Sequence, residues 1–133
     1  MTLKEIRALA MFQSNNDEED LPEFQPALDQ YINEGYDRLV EAYTDEHTDP
    51  DGDVYIPLTG ATDEPEIPSW SHRAIADYAT YMIYRNGNVT KQNRSVPYYQ
   101  SFSDMLLKLR EAGVKDRNKD NGGLVHFKNL YVD

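Results

Sequence analysis

The sequence predicts a mainly α protein, an antiparallel bundle of three to four helices with a long acidic loop, a short edge strand and an extended C-terminal arm. Three observations predict it. Apolar residues recur at helical spacing in separate stretches. Proline, glycine and acidic runs fall at the edges of those stretches. The last residues, Leu124 to Val132, turn β-prone.

The first helix is expected over 3–12. Thr2 and Glu5 form a capping box, and Leu3, Ile6, Leu9 and Ala10 share a face. The polar run Ser14 to Asp20 ends it. In the second helix, Phe24, Leu28, Tyr31, Ile32, Gly35, Leu39, Ala42 and Tyr43 keep a 3–4 spacing over roughly five turns. Pro22 and Pro26 fit only near its start, where a missing N–H costs little. Residues 44–66 break the period. Val54–Leu58 reads as an edge strand, since Pro57 cannot sit in a central one.

A third helix opens at Ile67-Pro68-Ser69-Trp70 with Ser69 as cap and runs to Arg85, where Asn86-Gly87-Asn88 supplies a left-handed stop. Trp70 reads as a core anchor or hydrophobic staple, with an interface anchor as the other reading. After a polar link over Thr90–Arg94, a fourth helix has Pro97 in its first turn. Tyr98, Phe102, Met105, Leu106 and Leu109 line one side, and Gly113 closes it. The chain thus divides into a bundle, 1–113, with an inserted loop, 44–66, and an arm, 114–133.

Only 39% of residues are hydrophobic, low against the roughly 45–50% usual for a free-standing domain. Ten tyrosines stand against four phenylalanines, which suits surfaces that are part buried and part wet. Net charge is −11 and lopsided: residues 1–66 hold 18 Asp and Glu against three Lys and Arg, and residues 67–133 hold six against ten. So acidic a half argues against wrapping a phosphate backbone. Two uses remain open, a solubilising face or head-to-tail contact between acidic and basic halves. No cysteine is present, and no apolar run nears the roughly 18 residues of a membrane helix. The first residues lack the apolar stretch of a signal peptide, so a cytosolic setting is expected.

No catalytic, cofactor or metal site is expected. Asp49, Asp51 and Asp53 imitate the start of a calcium loop, but Val54 stands where glycine is needed and Gly60 where a bidentate glutamate is needed. His47, His72 and His126 lack partners at metal spacing. Phosphate-binding and nucleophile-elbow motifs are missing. One carboxylate pair stays open, Asp29 or Glu34 with Asp77.

Three segments resemble the small head–tail connector or adaptor proteins of tailed bacteriophages. They are Leu28-Asp29-Gln30-Tyr31-Ile32-Asn33-Glu34-Gly35-Tyr36 with Leu39, then Ile67-Pro68-Ser69-Trp70-Ser71-His72-Arg73-Ala74-Ile75-Ala76-Asp77-Tyr78-Ala79, then the Tyr98–Leu109 helix. The resemblance spans roughly residues 3–112 as spacing and residue type, and covers neither 44–66 nor 114–133. It implies a noncatalytic bundle in the virion neck, assembled in the host cytoplasm. Such a bundle binds the portal protein as a ring of twelve copies, carries a tail or nozzle protein, and lets DNA pass through. Tyr55, Ile56, Phe127, Leu130 and Tyr131 are the expected partner contacts, being apolar residues in segments short of local core. The rival classes are an acidic regulator or DNA mimic that inhibits a basic nucleic-acid-handling protein, and an enzyme using carboxylates.

Overall fold

A computed structural model describes residues 1–16, 21–44 and 56–120. Among these residues the chain forms α1 (Leu3–Gln13), α2 (Leu21–Thr44), a 3₁₀ turn (Ser69–Ser71), α3 (Arg73–Arg85) and α4 (Val89–Asp120). Side-chain contacts fix the helix directions. Met1, before α1, touches His72, before α3, and Gln13 at the end of α1 touches Thr80, so α1 and α3 run the same way. Tyr31 of α2 meets Asn86 while Gly35 meets Tyr78. Tyr98 of α4 meets Tyr84 while Phe102 meets Tyr78. Both α2 and α4 therefore oppose α3, and the order is up-down-up-down.

The predicted capping box opens α1: the Thr2 N–H donates to Glu5 Oε1 at 2.8 Å and the Glu5 N–H to Thr2 Oγ1 at 3.2 Å. The other end is a turn the sequence reading did not specify. Asn15 adopts φ 58°, its N–H reaches the Phe12 carbonyl, and the Asn16 N–H reaches that of Met11. These bonds satisfy carbonyls that the helix end leaves open, and asparagine tolerates the left-handed conformation.

In α2 the expected stripe is buried at Leu28, Ile32, Gly35, Leu39 and Ala42, joined by Tyr36 and Val40. Tyr36 is completely buried, and its hydroxyl accepts the Glu66 N–H at 2.8 Å. The closest approach of α2 to α3 is at Gly35, where a Cβ would stand 2.9 Å from Tyr78 Cβ and 3.0 Å from Cγ. Tyr78 then reaches all three long helices. Its ring lies 4.9 Å from that of Phe102, Arg38 sits 5.4 Å above its face, and its hydroxyl donates to Glu34.

Several expectations are corrected. Val54 and Tyr55 lie outside the described residues, and Ile56–Thr59 form no strand. The backbone of Leu58 is held instead by an α2 side chain: its N–H donates to Asn33 Oδ1 at 2.8 Å and its carbonyl accepts from Nδ2 at 3.0 Å. Ser69 is not a cap. It opens the 3₁₀ turn, and α3 starts at Arg73 without a side-chain cap. Trp70 is 51% exposed, so it anchors no core. Asn86 does end α3, but with φ −86° and hence without a left-handed residue. The Thr90–Arg94 link is helical, and α4 continues through both Pro97 and Gly113. Asn88 Oδ1 caps it by accepting the Lys91 N–H at 3.0 Å. Phe102 and Leu109, buried on the bundle side, hold the helix across the bond that Pro97 cannot make.

Two substitutions probe these joints. Gly35→Ala gains roughly 1 kcal/mol of helix propensity, yet the Tyr78 atoms it meets lie next to the backbone and cannot swing aside. Overpacking costs of about 1–3 kcal/mol or more outweigh the gain, so urea denaturation will show a net loss of stability. At the α1 turn, Asn15→Ala loses about 1 kcal/mol and Asn15→Gly much less, as measured by the same midpoints.

Candidate functional site

Helix α3 is buried on nearly every side, and this decides its chemistry. Asp77 and Thr80, 5% and 0% exposed, sit among Ala76, Tyr78 and Ala79. Water cannot satisfy them, so neighbouring helices do. Asp77 Oδ1 accepts from Gln13 Nε2 at 3.2 Å and Oδ2 from Ser101 Oγ at 3.0 Å. The Thr80 hydroxyl lies 2.8 Å from both Gln13 Oε1 and the Ala76 carbonyl. Tyr84 donates to the Gln13 carbonyl at 3.0 Å. One polar knot therefore ties the end of α1 to α3 and α4. Burial raises the Asp77 pKa, and the two hydrogen bonds oppose that shift.

Beside the knot opens a cleft of about 440 Å³ between the ends of α1 and α3 and the starts of α2 and α4. Phe24, Tyr31 and Ile83 form its apolar wall. Asn15, Asn16 and Asn86 present amides, and Lys91 and Arg94 bring positive charge. Neither cation enters an ion pair among the described residues. The two cations and the amides of the lining favour an acidic group over a basic one.

At the opposite end His72 is buried, its Nε2–H donating to the Ile67 carbonyl at 2.8 Å and its Nδ1 accepting from the Met1 amino group at 2.8 Å. This is a neutral imidazole, and burial lowers its pKa. Asp63 folds its own loop there, taking the Thr59 and Gly60 N–H groups, which hold its pKa below the usual range.

Of the predicted partner contacts, Tyr55, Phe127, Leu130 and Tyr131 lie outside the described residues, as does the Asp49–Asp53 run. Ile56 is described and 70% exposed. The candidate carboxylate pair does not form: Asp29 is gripped by Arg7 through Nε and Nη2 at 2.8 and 2.7 Å, and Glu34 accepts from Tyr78, away from the partners of Asp77. Sequence reasoning missed Gln13, Thr80 and Ser101. The available signal was a helix with polar residues inside its apolar arc.

The linkage signs follow from these shifts. Asp77 binds its proton more readily folded than unfolded, so its contribution to stability is full below the ordinary carboxylate pKa and is lost as pH rises through the raised value. His72 acts oppositely, contributing fully above about 6.5 and losing that contribution as pH falls through its lowered value. Asp77→Asn keeps both neighbours bonded without burying a charge. Its melting temperature at pH 7 will match or exceed that of the native chain, and the gap will close on acidification. Asp77→Ala, which strands Gln13 and Ser101, will lose about 1–3 kcal/mol.

Compared with known proteins, the chain matches no family model, no curated protein and no solved structure.

Proposed function

We propose that the chain is a structural adaptor of the phage neck: a ring of copies bound beneath a portal protein, offering a platform to a tail or nozzle protein and a passage for DNA. The observation that carries this reading is the amount of large apolar surface left uncovered on so small a bundle. Phe12, Ile56, Trp70, Val89, Val96, Tyr99, Leu107 and Val114 are all exposed. Exposed apolar residues gathered on one element mark protein contacts, and five of the eight lie on α4. The adaptor-like segments in the sequence supply the class of assembly. In this reading the acidic loop and the residues that follow α4 contact neighbours through Tyr55, Ile56, Phe127, Leu130 and Tyr131. The acidic half repels DNA from the ring lumen.

A second reading, an acidic mimic that blocks a basic nucleic-acid-handling protein, is favoured by one feature. Helix α2 carries Glu23, Asp29, Glu34, Asp37 and Glu41 against the single cation Arg38. One experiment separates the two. Static light scattering of the chain mixed with a purified portal ring will show a complex of ring mass, and cryo-electron microscopy will show copies arranged around the portal axis. A chain that ignores the portal yet binds a basic DNA-handling protein one to one removes the adaptor reading.

A further inference from the structure

The cleft between the ends of α1 and α3 and the starts of α2 and α4 is charged against the trend of the chain. Net charge is −11, yet among the described residues the charged lining is Lys91 and Arg94, with no aspartate or glutamate. Both cations stand on the first turns of α4, while the apolar wall of Phe24, Tyr31 and Ile83 comes from α2 and α3. An occupant thus meets one apolar side and one cationic side, and it gains from carrying a group for each.

The three asparagines narrow the occupant further. Asn15 Nδ2 donates to the Tyr84 hydroxyl at 3.3 Å, Asn16 Nδ2 to the Ser14 hydroxyl at 2.9 Å, and Asn86 Nδ2 to the Tyr31 hydroxyl at 2.9 Å. Each amide thereby turns its nitrogen to the protein. Its oxygen, to which no described residue donates, is left to accept from outside. A peptide backbone brings N–H donors next to its side chains, whereas a sulfate or a phosphate diester brings none.

The cationic wall is also lightly held. Residues 89–96 are all exposed except Ser95. The helix bond to the Asn93 carbonyl is missing, because Pro97 has no N–H. Few buried contacts and a broken ladder mark a segment that opens at low cost. An occupant that joins Lys91 and Arg94 to α2 and α3 steadies it.

We propose that this cleft binds an acidic peptide segment of a partner protein. A carboxylate rests on Lys91 and Arg94, an adjoining apolar side chain on Phe24, Tyr31 and Ile83, and backbone N–H groups on the asparagine oxygens. The proposal goes beyond the adaptor reading and does not rest on it.

The test is fluorescence anisotropy of a labelled Gly-Glu-Phe-Glu-Gly peptide titrated with the full chain. The peptide will bind, added salt will weaken it, and its form with glutamine for glutamate will bind about tenfold more weakly. Lys91→Gln with Arg94→Gln will cause a similar loss. Both residues are exposed, so the melting temperature will stay near that of the native chain. Hydrogen exchange across 89–96 will slow on binding. The four carboxylates of Asp17 to Asp20 follow Asn16 directly in sequence and compete for the same cations. Asp17→Asn, Glu18→Gln, Glu19→Gln and Asp20→Asn together will therefore tighten binding. A native chain that ignores the acidic peptide, or binds it and its glutamine form alike, overturns the proposal. So does exchange that slows only outside 89–96. Binding that appears only after the four carboxylates are removed gives the cleft to the chain's own linker, and overturns it too.

Discussion

The bundle is organised by the seating of Tyr78 against Gly35. Three long helices meet at one ring because one of them offers no Cβ. With α2 drawn close there, the ring is within reach of Phe102 on α4, and its hydroxyl and face are taken by Glu34 and Arg38, a turn apart on α2. Apolar packing alone allows helices to slide by a turn at small cost. A bulky side chain fitted to a single missing one does not, since moving α2 by four residues either way brings Tyr31 or Leu39 to the same place.

A second constraint lies deeper along α3. Asp77 and Thr80 find partners only if the end of α1 and the middle of α4 arrive together. A buried carboxylate costs stability at neutral pH, and its retention with both oxygens bonded fits the use of polar groups to select one arrangement over near-equals. The apolar fit thus ties α3 to α2, the polar knot ties it to α1, and both reach α4. Together they leave little freedom in the bundle.

Helix number, the capping box of α1 and most of the core were legible in the sequence because they depend on local spacing. Leu3, Ile6, Ala10, Leu28, Ile32, Leu39, Ile75, Ala79, Phe102 and Leu109 are buried where the period places them. The failures share one cause. Pro97 and Gly113 look like boundaries, yet packing of Phe102 and Leu109 carries α4 across both. Trp70 looks like core, but Ile67 and Ser71 take the buried places beside it. The exposure of Val89, Val96, Leu107 and Val114 on α4 was also not legible, since a helix with apolar residues on two sides has no clear polar face. Even the Ile32-Asn33-Glu34-Gly35 step, read as a mark of the adaptor class, is occupied with folding: Asn33 grips Leu58, Glu34 takes the Tyr78 hydroxyl and Gly35 admits its ring.

The grip of Asn33 on Leu58 has an evolutionary consequence. The chain leaves α2 at Thr44 and is fastened again to the same helix eleven residues back, at Asn33. Both ends of the excursion are therefore pinned to one rigid rod, at a separation of about 16 Å. Lengthening or recoding the stretch between them does not alter the distance to be bridged, and closure entropy rises by only about 0.6 kcal/mol for each doubling. The acidic segment can diversify in sequence while the helices stay unchanged.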